Sequence, residues 1–148
     1  MSESTDEKSI EILLVEDNPG DVELTKEAFK EWKMVNSISV VSDGEEALDY
    51  LYKRGQYSKV GRPDLILLDL NLPKKTGVEV LEDIKNHPDL KRIPVIVLTS
   101  SKAEQDIMRT YNLHANCYIN KPIDLDEFIA LVKSMKDFWF RIVKYPPR

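Results

Sequence analysis

Apolar residues along this chain come in short, nearly unbroken runs separated by stretches of helical spacing. The first run, Ile10-Glu11-Ile12-Leu13-Leu14-Val15, stops abruptly at Glu16-Asp17-Asn18-Pro19. That stop predicts a strand end and then a helix start, with Asn18 as N-cap and Pro19 as the first helical residue. Leu24, Ala28 and Trp32 then recur four residues apart among Lys and Glu, as on an amphipathic helix. Ile38 to Val41 predicts a second, shorter strand, and Gly44 to Tyr52 a short helix with Ala47, Leu48 and Leu51 inward. Residues 54–63, RGQYSKVGRP, carry two glycines and a proline and predict a loop. Leu65-Ile66-Leu67-Leu68, the most apolar strand, ends at Asp69, and a loop with Pro73 and Gly77 leads to a helix carrying Val80, Leu81 and Ile84. Pro94 to Leu98 is a fourth strand ending at Thr99-Ser100-Ser101, followed by a helix from about Ala103 to Leu113. Cys117-Tyr118-Ile119 is a fifth strand, ending at Asn120-Lys121-Pro122. A last helix opens at Asp124, with Glu127 three residues on as in a capping box.

The order is a βα unit repeated five times. Strands that are continuous apolar runs belong in a parallel sheet covered on both faces, so an open, doubly wound α/β domain is expected. At 148 residues the chain has room for one such core. Residues 1–8 form a polar tail without the basic and apolar regions of a secretory signal, the domain runs over 9–143, and 144–148 are a second tail. An apolar fraction of 42% with 32% charged residues is that of an ordinary globular protein. No run approaches the roughly 20 apolar residues that span a bilayer, so no membrane role is expected. A net charge of −5 argues against nucleic-acid binding, which needs a basic footprint. The single cysteine, Cys117, rules out an internal disulfide and fits a cytoplasmic location; within the fifth strand it reads as a buried small hydrophobe.

Polar residues with chemical potential collect at strand ends. Glu16 and Asp17 follow the first strand, Asp69 ends the third, Thr99 the fourth, and Lys121 follows the fifth. In an open parallel sheet the carboxyl ends lie along one edge, where such folds bind ligands. Three carboxylates gathered there repel one another unless a cation intervenes. Oxygen ligands with room for water suit Mg²⁺. A carboxylate can also act as a nucleophile toward a phosphoryl group, whose oxygens need metal, lysine and hydroxyl partners. Each residue has a plainer reading: an aspartate at a strand end is commonly a turn residue, an acidic pair commonly complements a helix dipole, and Lys121 before Pro122 is commonly a solvated loop lysine. Their coincidence along one edge outweighs these separate readings.

The segments LLVEDN (13–18), LILLDLNLPKKTG (65–77), PVIVLTSS (94–101) and CYINKP (117–122) together resemble the receiver domain of two-component response regulators, over about Ile10 to Trp139. The resemblance implies a flavodoxin-like (βα)5 sheet of order 2-1-3-4-5. It implies that Asp69 accepts a phosphoryl group from a sensor histidine kinase. It further implies that Asp17, Asp69 and the Asn71 carbonyl hold Mg²⁺, with Glu16 acting through water. Thr99, Ser100 and Lys121 would contact the phosphoryl oxygens, Thr99 and Tyr118 would form the switch, and the Lys121-Pro122 bond would be cis. RGQYSKVGRP, NLHANCYINKP (112–122) and DFWF (137–140) narrow the resemblance to the small response regulators paired with bacterial phytochromes. His114, where many receivers have glycine, reads as a packed or capping residue ending the fourth helix.

Three functions compete. A phosphoacceptor switch that signals through its own surface, without an effector domain and with weak self-dephosphorylation, accounts for every site residue. A haloacid-dehalogenase-like phosphohydrolase also uses an aspartyl nucleophile, but in a D-x-D-x-T pattern near the chain start, where this chain has none. A pseudo-receiver adaptor would lack part of the acidic set. The resemblance also implies a homodimer. Leu125, Phe128, Val132, Met135, Trp139 and Ile142 make one stripe on the last helix, whereas Ile129, Leu131, Phe138 and Phe140 fall outside it. Either these residues fold back over the first helix or the core edge, or the helix meets a second partner; the second reading is the one expected, with Phe138, Trp139 and Phe140 as the predicted dimer interface.

Overall fold

The structure, a computed structural model, describes residues 10–30, 32, 35–100, 115 and 117–138. Five parallel strands, β1 (Ile10–Val15), β2 (Val35–Val41), β3 (Leu65–Asp69), β4 (Val95–Thr99) and β5 (Cys117–Asn120), form one sheet in the order β2-β1-β3-β4-β5. Helices α1 (Pro19–Ala28), α2 (Gly44–Leu51), α3 (Gly77–Lys85) and α4 (Leu125–Phe138) follow β1, β2, β3 and β5. The doubly wound, flavodoxin-like fold is therefore present, with Lys121-Pro122 cis. The predicted 103–113 helix, His114, Trp139 and Phe140 lie outside the described residues.

The alternation of each strand divides the core in two. Leu13, Val15, Ile66, Leu68, Val95 and Val97 face α2 and α3. Ile12, Leu14, Leu65, Leu67, Ile96 and Leu98 face α1 and α4. Because the central strands are covered on both faces, nearly every side chain of β1, β3 and β4 is buried. The edge strand β5 has one face less covered, and its burial alternates. Cys117 is accordingly half-buried rather than buried, and the burial it has pushes its thiol up from the ordinary value.

Local chemistry fixes the helix starts. Asn18 Oδ1 accepts from Asp21 N–H at 3.0 Å, with Pro19 the first helical residue as expected. Thr76 and Glu79 form a full capping box on α3, and Asp124 Oδ1 accepts from Glu127 N–H at 3.0 Å at the start of α4.

Four details differ from the sequence pattern. β2 begins at Val35, three residues earlier than expected, because pairing with β1 from Ile10 onward carries its polar residues along. The loop at 54–63 holds a 3-10 turn, Gly55–Tyr57, whose tyrosine ring packs tilted against Tyr50 with centroids 5.1 Å apart. On α1, Phe29 is buried while Leu24 is only half-buried, since Phe29 meets Trp32 at 6.1 Å and Phe128 of α4 at 5.9 Å. Finally, Ile129 and Leu131 are not outside the packed stripe of α4. Both rest partly against the core, Ile129 on the flank toward α1 and Leu131 on the flank toward β5.

Candidate functional site

Register brings the expected residues to one edge. β1 and β3 pair with Val15 opposite Leu68, so Glu16 and Asp69 leave the sheet side by side. The Glu16 N–H donates to Val41 O at 3.0 Å, which holds it at the sheet edge. β4 and β5 pair with Thr99 opposite Asn120, and the next N–H, that of Lys121, donates to Thr99 O at 2.8 Å. Lys121 is thereby aimed back across the edge toward β1 and β3.

One carboxylate oxygen from each of Glu16, Asp17 and Asp69 lies within 4.8 Å of the others. Glu16 and Asp69 are buried and Asp17 is exposed, so the cluster opens to solvent on one side. Lys121 Nζ donates to Glu16 Oε2 at 2.9 Å and to Asp69 Oδ2 at 3.0 Å. It also pairs with Asp21 Oδ2 at 2.9 Å, a contact from the first turn of α1 that the sequence pattern did not single out. Asp69 Oδ1 accepts the Asn71 N–H at 3.0 Å, and Glu16 Oε2 the Asn18 N–H at 3.2 Å. Thr99 is fully buried at the end of β4, and Ser100 beside it is exposed. Tyr118 lies three residues before Lys121 and is 39% exposed. Phe138 ends the described part of α4, and nothing of its side chain is described.

Two close backbone approaches frame the loop that follows Asp69. Gly77 N–H donates to Leu70 O at 3.0 Å, and a Cβ on Gly77 would stand 2.3 Å from Asp69 O. At the other end of the same loop, a Cβ on Gly44 would stand 1.9 Å from Lys75 O. Both positions require glycine for close approach.

The electrostatics are unbalanced. Burial, reinforced by Asp69, pushes the Glu16 carboxyl up from 4.5 to about 7, although Lys121 pulls it down. Burial alone would lower the Lys121 ammonium, but hydrogen bonds to Glu16, Asp21 and Asp69 hold it well above its ordinary value. The two shifts pull opposite ways on one pair. The lysine's charge is the secure one, because three carboxylates share it, and the carboxylates are what lack compensation. Lys121 Nζ lies 2.9 Å from Glu16 Oε1 as well, so both oxygens of this carboxylate lean on one ammonium. A hard-oxygen donor set and an excess of negative charge fit a divalent cation with bound water.

The comparison with known families decides the assignment: residues 12–133 match the model described as the response regulator receiver domain. The chain belongs to this family. The receiver is 46% identical over 135 residues to response regulator Rcp1 of a Synechocystis species, covering 91% of this chain and 92% of that protein. It is 41% identical over 130 residues to a probable methanogenesis regulatory protein, FilR2, of Methanothrix harundinacea, covering 86% and 82%. Among solved structures it resembles that of the phosphorylated cyanobacterial phytochrome response regulator RcpA, with a TM-score of 0.80 at 47% identity, covering 94% of this chain and 99% of that one. The Mn²⁺-bound form of Rcp1 gives a TM-score of 0.73 at 44% identity, covering 93% and 99%. A receiver is a module of two-component signalling, a switch rather than an enzyme, and its partner is a histidine kinase. Among the described residues no helix is long and apolar enough to cross a membrane.

Proposed function

We propose that this receiver takes a phosphoryl group on Asp69, and the observation that carries the reading is the buried Asp69 carboxylate shared with Lys121 beside Glu16 and Asp17. A carboxylate oxygen of Asp69 attacks the phosphorus of a phosphohistidine, the P–N bond breaks, and the imidazole leaves with the electron pair and takes up a proton. Later, water attacks the same phosphorus, the P–O bond to Asp69 breaks, and inorganic phosphate leaves with the carboxylate restored. Asp17, Asp69 and the Asn71 carbonyl would hold Mg²⁺, with Glu16 acting through water, and the ion would supply charge neutralisation for the phosphoryl oxygens. Thr99, Ser100 and Lys121 donate to those oxygens, and Thr99 moving toward them lets Tyr118 turn inward.

The domain runs over 9–143 and works in the cytoplasm. Its kinase is phytochrome-like, a reading supported by relatives whose names include phytochrome response regulators. The complete acidic set, with Thr99 and Lys121, favours this over a pseudo-receiver. A homodimer through Phe138, Trp139 and Phe140 extends the reading, although Ile129 and Leu131, being packed on the core, add nothing to it.

The test is labelling with acetyl phosphate and Mg²⁺. One acid-stable, base-labile phosphoryl group per chain is expected, and Asp69→Asn or a chelator should abolish it. Stoichiometric labelling of Asp69→Asn would move the acceptor elsewhere.

A further inference from the structure

We propose that Asp21 is a positioning residue for Lys121, the α1-side anchor that keeps the lysine ammonium at the mouth of the site; this rests on the phosphoacceptor reading above. An ammonium has three N–H donors and no acceptor. Around Lys121 those donors meet carboxylates on three different elements: Glu16 at the end of β1, Asp69 at the end of β3 and Asp21 in the first turn of α1. Glu16 and Asp69 lie on the buried floor. Asp21 is the partner at the rim, its side chain 18% exposed against 15% for Lys121.

The position of Asp21 is set by the fold and not by a swinging side chain. Its N–H donates to Asn18 Oδ1 at 3.0 Å, and its carbonyl accepts from the Thr25 hydroxyl at 2.8 Å. The backbone is thus pinned on both sides, and only two side-chain torsions separate it from the carboxylate. Lysine, by contrast, carries its charge on a flexible four-carbon stem. Without Asp21 the ammonium keeps its two floor partners and loses its lateral hold.

The loss matters most when the site reacts. Once Asp69 carries the phosphoryl group, its own carboxylate charge is gone and the negative charge lies further out, on the phosphoryl oxygens. Lys121 must then let go of Asp69 Oδ2 and reach outward while still oriented. Glu16 and Asp21 are the two contacts that persist, and Asp21 is the one on the outer side. The charge-assisted bond it accepts fixes direction as well as energy.

The experiment compares Asp21→Ala and Asp21→Asn, alone and combined with Lys121→Met, in the full-length protein. Labelling by acetyl phosphate with Mg²⁺ should be about tenfold slower in Asp21→Ala, the order expected when one positioning contact is lost. Asp21→Asn keeps an acceptor oxygen at the same place and should recover to within about threefold. In the Lys121→Met background, Asp21→Ala should change nothing further, because the residue acts through the lysine. A metal-free readout stands beside these: the Lys121 ε-ammonium protons should exchange with water faster in Asp21→Ala than in wild type by NMR, with the backbone spectrum unchanged. Equal labelling rates and equal exchange in Asp21→Ala and wild type would overturn the proposal. So would an undiminished effect of Asp21→Ala in the Lys121→Met background. If wild type itself takes no label, the phosphoacceptor reading fails, while the exchange measurement still decides the role of Asp21.

Discussion

Substituting Gly77 by alanine should cripple the site without touching any of its charged groups. Gly77 opens α3, where an ordinary glycine-to-alanine change gains up to about 1 kcal/mol of helix propensity. Here the added Cβ would stand 2.3 Å from Asp69 O, 2.4 Å from Leu70 Cα and 3.0 Å from Asp69 C. The first two distances fall short of van der Waals contact by about 1 Å. All three neighbours are backbone atoms, so no side-chain rotation relieves the overlap. Either α3 backs away and its Gly77 to Leu70 hydrogen bond stretches, or the Asp69–Leu70 segment shifts. The overpacking should cost about 1–3 kcal/mol in urea unfolding, opposite in sign to the propensity gain. A displacement near 1 Å at a reacting group is worth on the order of 100-fold in rate, so acetyl phosphate labelling should slow by one to two orders of magnitude. Gly61→Ala is the control, since nothing lies within 4 Å of its Cβ and its φ is ordinary. That variant should match wild type in rate and be no less stable. If Gly77→Ala were as stable and as fast as Gly61→Ala, the close approach of α3 to the Asp69 backbone would not position the acceptor.

Without metal, the raised Glu16 value means its share of stability is fully present below pH 4.5 and is lost as pH rises through about 7. Cation binding should therefore strengthen through that window and release about half a proton per Mg²⁺ at pH 7, measured by calorimetry in buffers of different ionisation heat; Glu16→Gln should flatten the profile, and a flat wild-type profile would refute it. Thr99→Ala should still label but should lose the NMR shift changes around Tyr118, and full changes in that variant would exclude Thr99 as the coupling residue. Sedimentation across a dilution series should show a dimer that Phe138→Asp with Phe140→Asp converts to folded monomer, and a wild type monomeric at all concentrations, with and without phosphate, would end that reading.

The sheet and its reactive edge were legible because both follow from local signals. Each of Glu16, Asp17, Asp69, Thr99 and Lys121 terminates or follows an apolar run, and parallel pairing does the rest. Asp21 was not legible in that way. It stands on a helix among Lys and Glu, where an acid three residues after an N-cap reads as a dipole partner. Its other role depends on Lys121, 100 positions away in the sequence, reaching across the sheet edge. The signal that could have found it is geometric: the first turn of α1 rises directly over the same edge. The breadth of the apolar face of α4 was misread for a similar reason. Periodicity gives a helix one stripe, but α4 also leans on neighbours along both flanks, Ile129 toward α1 and Leu131 toward β5.

The charge inventory also fixes the order in which the site can fill. Among the described residues, Glu16, Asp17, Asp21 and Asp69 stand against the one ammonium of Lys121. All three donors of that ammonium are taken, so it has none to offer an incoming anion until one is released. A phosphoryl donor approaching this arrangement meets net negative charge on a partly buried surface, where repulsion is weakly screened. Adding a divalent cation to the carboxylates reverses that balance. With the carboxylates compensated, Lys121 can exchange Asp69 for a phosphoryl oxygen while Glu16 and Asp21 retain it. Metal before phosphate is therefore the sequence that the electrostatics of these residues favour, and the exposed Asp17 leaves the cluster open to solvent on its side.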